Sequence, residues 1–278
     1  MTQQNERQPK SLSDHFYPQH PTSERSINID PWWGLFAAVI ALVLFMVLFV
    51  PDPYALIVDS IRDGIGITVI TTVISFAMML VLGLIVALGR LSESPVLRLL
   101  ATIFTEIVRG IPLLVQLIFW YFAFPSIIRE FGGWLNFGPF QDYLANPLGM
   151  AILGLTVCYS AYMSEIYRAG IQGIPKGQME AALSLGMTRF QAMRYVILPQ
   201  AIRLILPPVG NEFISLLKDS SLVSVVAVTD MTRRGREFMS THFIPVQTWT
   251  MIALIYLVMT LFSARIVAYI ERRTQNER

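Results

Sequence analysis

Long runs of uncharged, mostly apolar residues alternate with short polar segments along this chain. Trp32 and Trp33 begin the first run, where aromatic side chains anchor a helix at the membrane surface. Five runs are near or above the length that crosses a hydrocarbon layer of about 30 Å as a helix: 32–50, 64–89, 110–128, 148–164 and 246–264. The pattern predicts an all-α integral membrane protein.

A sixth span is predicted over residues 203–230, although charged side chains interrupt this apolar stretch. Because an unpaired charge in lipid is costly, Glu212, Lys218 and Asp219 are expected to face protein or water. The stretch at 96–128 exceeds one crossing, and Pro112 is the predicted bend or start point within it. The predicted fold class is therefore all-α with six transmembrane helices.

Composition supports the membrane class. Of the 278 residues, 54% are hydrophobic and 14% are charged, whereas a soluble domain carries about a quarter charged residues. A formal net charge of +2 gives no electrostatic footprint for nucleic acid, so no nucleic-acid partner is expected. One cysteine, Cys158, and three scattered histidines offer neither a disulfide framework nor the spacing of a metal site.

Lysine and arginine residues beside the spans favour cytoplasmic positions for both termini, with residues 131–146 and 230–243 outside. The inner side then holds Arg25, Arg90, Arg98, Lys176, Arg189, Arg194, Arg203, Arg272 and Arg273. The outer side holds Arg62, Arg129, Arg233, Arg234 and Arg236. The last three of these weaken the bias.

The longest inner loop, residues 173–203, is predicted to be organised rather than floppy. Pro175 near its start, Glu180 in the first turns and Gly186 as a stop indicate a short helix. Such order exceeds what a connector needs, because a connector requires only a few residues. The loop is therefore interpreted as a docking surface.

A second helix is predicted to follow Gly186. Thr188 with Gln191 three residues later forms a capping-box pattern, and apolar residues over 190–197 repeat at helical spacing. This amphipathic helix is expected to end at Pro199. Two short helices joined at a glycine would form a rigid elbow across the cytoplasmic mouth.

The loop resembles the EAA loop of permease subunits in bacterial ATP-binding-cassette importers, and the whole pattern resembles their polar amino acid subfamily, which handles His, Gln, Glu, Arg and opine-type solutes. The match covers roughly Asp63 to Arg273. It departs at Val196, where the family usually has Ile, and in the span that precedes a five-span core. The matching residues are Gly177-Gln178, Glu180-Ala181-Ala182, Gly186, Leu198-Pro199, and the strings Glu106–Gln116, Glu165–Gly170 and Lys218–Leu222.

The resemblance implies a division of labour between subunits. The loop would supply a coupling helix that seats on a separate ATPase, with contacts at Gly177, Gln178, Glu180, Ala181, Ala182, Gly186, Leu198 and Pro199. The implied partners are a second permease subunit (the same chain or a homologue), two ATPase subunits, an extracytoplasmic amino acid-binding protein and membrane lipid. The implied domains are a flexible cytoplasmic tail at 1–30, an extra transmembrane helix at 31–51, the permease core at 60–273 with its coupling loop at 173–203, and a cytoplasmic tail at 274–278.

Energy for transport is expected from outside this chain. The sequence lacks the Gly-x-x-x-x-Gly-Lys-Ser/Thr phosphate cradle, so ATP and Mg²⁺ are expected on the partner subunits, with no cofactor, metal or catalytic residue here. The expected function is import of a polar amino acid across the bacterial inner membrane by alternating access. Two alternatives are an ion-coupled secondary amino acid transporter and an intramembrane enzyme, although inverted half-sequence symmetry and a reactive constellation are not evident.

Charged residues inside the spans are where a polar solute could be recognised. An amino acid carries one ammonium and one carboxylate, so Lys218 and Asp219 together could hold its backbone, with Glu212 selecting the side chain. Ser220 belongs to the same predicted solute path. The alternative is that Lys218 and Asp219 neutralise each other or cap an unwound turn. The remaining path candidates are aromatic residues, for which plain packing is more typical: Tyr159, Tyr162 and Tyr167.

Two glutamate–arginine pairs share a helical face at i, i+3 spacing. They are Glu106 with Arg109, and Glu165 with Arg168. Cross-pairing between them would form a charge cluster below the solute path. A structural or gating role is favoured for this cluster over direct contact with the solute.

Overall fold

A computed structural model describes residues 31–275, and every regular element in that range is helical. The predicted tail at 1–30 lies outside the described residues. The helices are α1 (Pro31–Phe49), α2 (Pro51–Leu91), α3 (Pro95–Gly110), α4 (Leu113–Ile118), α5 (Phe124–Leu135), α6 (Gly138–Gln141), α7 (Pro147–Gln172), α8 (Lys176–Ser184), α9 (Arg189–Ala192), α10 (Leu198–Asp219), α11 (Met231–His242) and α12 (Pro245–Gln275). Two π-helical segments, Phe119–Ala123 and Met193–Ile197, and a 3-10 segment, Ser220–Val226, continue them. Of the described residues, 36–275 belong to one compact unit, and 31–35 are grouped apart from it.

Within residues 31–275, five helices are long and apolar enough to span a membrane, and they correspond to the five predicted runs. They are Trp32–Phe49, Pro51–Leu91, Leu113–Leu135, Pro147–Gln172 and Pro245–Thr274. The all-α membrane fold is thereby confirmed. The predicted sixth span corresponds to α10, which is not among the five, and its crossing stays a prediction.

Helix α2 begins earlier than its apolar run indicated. It has 41 residues and starts at Pro51, whereas the uncharged run starts at Gly64. The additional turns carry Asp59, Arg62 and Asp63, whose side chains are 70–78% exposed. Charges on the exposed face of a helix interrupt the apolar run without interrupting the helix.

Helix α7 lies at the centre of the core, and α1 lies at its periphery. In the most apolar window of α7 61% of the residues are buried, against 6% for α1. The α7-centred core draws on α2, α4 and α10 and includes Met79, Leu117, Ala151, Leu155, Met163, Leu216 and Val223. A second cluster joins α2, α11 and α12 through Ile57, Ile61, Met231, Phe238, Met251 and Ile252.

The sequence predicted that the second helix of the 173–203 loop ends at Pro199. This prediction is wrong, because the helix continues through that residue. Proline lacks an N–H, and its ring crowds the carbonyl four residues back. Here the backbone widens into the π-helical segment Met193–Ile197, and the N–H of Leu198 donates to the carbonyl of Met193 five residues back. The widened turn lets the chain pass Pro199 and continue as α10.

The predicted bend at Pro112 is present as a break between α3 and α4. Pro112 is extended, with ψ 138°, and the last carbonyls of α3 lose their helical partners. Gln116 is 6% exposed and replaces those partners. Its side-chain Nε2 donates to the carbonyl of Val108 at 2.8 Å and to that of Ile111 at 2.9 Å.

Candidate functional site

A polar cavity of about 270 Å³ lies between α4, α7 and α10. Its lining residues are Leu113, Cys158, Tyr159, Tyr162, Glu212, Ser215 and Asp219. Glu212 and Asp219 are seven residues apart on α10, a spacing that places both carboxyl groups on one helical face. The cavity therefore has two carboxyl groups on the wall that α10 provides.

The two tyrosines that line the cavity make one hydrogen bond and one cation–π contact. The Tyr159 hydroxyl of α7 donates to Asp219 Oδ2 at 2.7 Å. The Arg109 guanidinium of α3 lies 5.2 Å from the centre of the Tyr162 ring, within cation–π range. The cavity wall thus offers two carboxyl groups to an ammonium group, whereas Arg109 is exposed, is not among the lining residues and lies beside the lining residue Tyr162.

The other two predicted path residues on this segment lie elsewhere. Lys218 is exposed and does not line the cavity. Neutralisation of Asp219 by Lys218 is not what the described residues show, because Asp219 instead accepts the bond from Tyr159. Ser220 is fully buried, and its hydroxyl donates to the carbonyl of Leu217 at 2.7 Å.

The sequence left open whether the three tyrosines line the solute path or only pack between helices, and the structure divides them between these roles. Tyr159 and Tyr162 line the cavity, whereas the Tyr167 hydroxyl donates to the carbonyl of Leu80 at 3.3 Å and joins α7 to α2. The spacing of Tyr159 and Tyr162 marked one helical face. That spacing alone could not show that the face meets the acids of α10.

The cross-pairing considered for the two glutamate–arginine pairs is not present among the described residues. Glu165 and Arg168 do form an ion pair within α7, and Glu165 also binds Arg90 at the end of α2. Arg109 instead stacks on Tyr162, and Glu106 is exposed on α3. Sequence reasoning used Arg90 only for topology, since nothing local indicated a partner on α7.

The predicted short helix of the loop is present as α8, and its end is built by hydrogen bonds. Gly186 has φ +83°, in the left-handed region that glycine adopts without strain. The N–H of Met187 donates to the carbonyl of Ala182 at 3.2 Å, and that of Gly186 donates to Leu183 at 3.0 Å. This pair of bonds is a Schellman motif, which ends the helix in a sharp, defined turn.

The predicted capping box at the next helix is also present. Thr188 Oγ1 accepts from the N–H of Gln191 at 3.2 Å, and Gln191 Oε1 accepts from the N–H of Thr188 at 2.8 Å. Ala182 is 3% exposed and packs inside the chain, so it does not present a surface. The predicted coupling residues that are exposed are Gly177, Gln178, Glu180, Ala181, Gly186, Leu198 and Pro199.

Comparison with known families gives a match over most of the chain. Residues 79–276 match the model of the binding-protein-dependent transport system inner membrane component. The glutamine transport system permease protein GlnP of Escherichia coli K12 is 36% identical over 211 residues, which are 76% of this chain and 91% of that protein. The arginine transport system permease protein ArgU of Corynebacterium glutamicum is 39% identical over 198 residues, 69% of this chain and 61% of that protein.

Solved structures give the same result. A chain from a structure described as an amino acid ABC transporter with histidines is 38% identical. It superposes with a TM-score of 0.68 and covers 83% of this chain and 97% of its own length. A chain of the inward-facing MetNI methionine ABC transporter, 20% identical with a TM-score of 0.63, shares the fold.

Proposed function

Since this chain belongs to the family of inner membrane components of binding-protein-dependent transport systems, we propose that it is the permease subunit of an ATP-driven importer for a polar amino acid. The observation that carries the proposal is the identity of 36% over 76% of the chain with a glutamine permease. The working complex contains a second permease subunit, two ATPase subunits that bind ATP and Mg²⁺, and an extracytoplasmic amino acid-binding protein. It lies in the bacterial inner membrane, with both termini in the cytoplasm.

The coupling loop is proposed to carry motion from the ATPase to the cavity. Helix α8 follows α7 after three residues, and its other end leads through α9 and the π-helical segment into α10. Helices α7 and α10 carry all the polar residues that line the cavity. A displacement of the loop therefore reaches both walls of the cavity, through a three-residue link into α7 and through α9 and the π-helical segment into α10.

Ion pairing keeps the cytoplasmic end of α7 against α2 in this scheme. The Glu165 carboxylate binds Arg168 of its own helix and Arg90 of α2, and the Arg90 side chain is only 12% exposed. Charge-assisted pairs with Arg are geometrically specific. The role proposed for Glu165 and Arg168 is thus to brace the path, as favoured from the sequence, and Arg90 joins them.

The polar cavity is the proposed place where the amino acid passes. Glu212 and Asp219 would receive the ammonium group. Arg109 lies outside the lining, as Lys218 does, and from its place beside Tyr162 it would meet the carboxylate at the edge of the cavity. Lys218 lies outside this cavity, so its predicted role in the path is a separate proposal. Lys218→Met tests it, with loss of uptake and retention of ATP hydrolysis as the supporting result.

Reconstituted uptake tests the proposed function. The complex in liposomes should transport a labelled polar amino acid only when ATP is present on the side of the membrane that carries the ATPase subunits. Glu212→Gln should reduce the rate of uptake more than the rate of ATP hydrolysis. Glu130→Gln, on the exposed face of α5, is the matched control and should leave both unchanged. Uptake that follows an ion gradient without ATP would favour the secondary-transporter alternative.

A further inference from the structure

The last part of the third apolar span, α5, and the segment that connects it to the fourth span form a built hairpin rather than an open loop. Asn136 ends α5 in the left-handed region with φ 52°, and the N–H of Phe137 donates to the carbonyl of Gly132 at 2.9 Å. A Cβ at position 132 would lie 2.5 Å from the Cβ of Phe140, so glycine permits this contact between α5 and α6. The Gln141 side chain also donates to the carbonyl of Gly132, at 3.3 Å. We call residues 124–146 the aromatic hairpin.

The aromatic hairpin presents large apolar side chains outward. Ile127, Phe131 and Trp134 follow each other at i, i+4 and i+7 along one face of α5 and are 50%, 51% and 79% exposed. Leu144, beyond the turn, is 86% exposed. Also exposed are Leu135, Phe137 and Phe140. A contiguous apolar surface of this kind normally has a partner.

The position of the aromatic hairpin in the chain identifies that partner. One apolar span ends at Leu135, and the next begins at Pro147. Both ends of a short connection between consecutive spans lie at the same surface of the membrane, whichever surface that is. The apolar stripe of α5 is continuous with the span itself, so the hairpin meets the zone between headgroups and acyl chains, where Trp and other amphipathic rings concentrate.

We propose that the aromatic hairpin is a membrane-interface anchor. Its apolar side, with Ile127, Phe131, Trp134 and Leu144, binds the boundary between lipid headgroups and acyl chains. A Cβ at Gly133 would meet no atom within 4 Å, so this position is open on the same hairpin, and the proposal places it on the water side of the anchor. The inference rests on the apolar spans and not on the proposed import function.

Site-directed spin labelling tests this anchor. In a Cys158→Ser background, a nitroxide is placed at Trp134→Cys or Leu144→Cys, with Gly133→Cys as the matched control on the same hairpin. The full complex is reconstituted in liposomes of phosphatidylethanolamine and phosphatidylglycerol, and collision rates with oxygen and with a water-soluble nickel chelate are measured. Size-exclusion profiles of the complex in the Cys158→Ser background, before and after each further substitution, establish that each variant is folded.

The expected result is a several-fold preference for oxygen over the nickel chelate at positions 134 and 144, with the opposite preference at 133. Free collision of all three labels with the nickel chelate would overturn the proposal, because the surface would then face water. Exclusion of both reagents at 134 and 144 would also overturn it, because a second permease subunit or another protein would then cover the surface.

Discussion

At the scale of single residues, buried polar side chains resolve local problems that apolar helices create. Gln116 satisfies two carbonyls at the break before α4, and Tyr159 satisfies one oxygen of Asp219. A buried acceptor that loses its donor costs about 1–3 kcal/mol. Removal of either polar group should therefore cost more free energy than the loss of its few atoms from the packing alone.

We expect Gln116→Leu to lower the free energy of unfolding by roughly 1–3 kcal/mol, because the carbonyls of Val108 and Ile111 lose their donor. Thermal unfolding of the purified permease in detergent measures the effect. Gln116→Glu keeps the shape of the side chain and removes the amide donor, so it should lower the thermal unfolding midpoint as Gln116→Leu does. Gln178→Leu, on the exposed face of α8, should leave the midpoint unchanged. An unchanged midpoint for Gln116→Glu would contradict the role given to the amide.

Tyr159→Phe should weaken solute transport. The phenol holds Asp219 at the cavity wall, and a hydrogen bond to a charged group is worth about 1.5 kcal/mol or more, which corresponds to roughly tenfold in affinity. Concentration dependence of uptake in liposomes gives the comparison. Tyr167→Phe loses a hydroxyl on the same helix away from the cavity and should transport normally. Equal behaviour of the two variants would remove Asp219 from the path.

At the scale of elements, the loop at 173–203 combines two hydrogen-bonded capping motifs with the start of one long helix. The Schellman motif at Gly186 and the capping box at Thr188 fix the turn between α8 and α9. The π-helical segment then lets the chain pass Pro199. The result is a surface element joined without interruption to α10.

Gly186→Asp should disturb this element without unfolding the spans. A residue with a Cβ at φ +83° is strained by about 1–2 kcal/mol, and the turn is exposed, so the cost falls on the loop. We expect normal membrane insertion and reduced copurification of the ATPase subunits. Normal copurification together with full transport would show that the turn is not the coupling contact.

Charge reversal of the exposed Glu180 on α8 tests the same contact by another route. Glu180→Lys should weaken ATPase docking, whereas Glu130→Lys on α5 serves as the control for a general effect of the added positive charge. Copurification of the ATPase and solute-stimulated hydrolysis are the two measurements. Full coupling in Glu180→Lys would place the contact elsewhere in the loop.

At the scale of the whole molecule, topology connects the loop, the cavity and the aromatic hairpin. The cation bias predicts that α8 faces the cytosol, with Gly133 and Thr241 outside. In a Cys158→Ser background, Gly133→Cys and Thr241→Cys should react with an impermeant maleimide added to intact cells, and Leu185→Cys should react only after the cells are opened. Labelling of positions 133 and 241 from the inner face alone would invert the topology.

Local features of the fold could be read from the sequence because they depend on neighbours along the chain. Five spans follow from runs of apolar residues, and the ends of α8 and α9 follow from Gly186 and the Thr188–Gln191 box. The start of α2 and the passage of the helix through Pro199 into the stretch predicted at 203–230 could not be predicted in this way. Exposed charges are compatible with a helix, and a widened turn lets a helix continue past a proline. In the local sequence pattern, however, the charges and the proline both indicate a helix end.

The sequence by itself determined the all-α membrane class, the resemblance to importer permeases and which charged residues lie inside the apolar spans. Only the tertiary structure decided which of them meet. Arg90 reaches Glu165 across 75 residues, and Tyr159 reaches Asp219 across 60. Such pairs depend on how α2, α7 and α10 pack and rotate against each other. That packing is set by complementary side-chain surfaces of distant segments, which no periodicity along one helix contains.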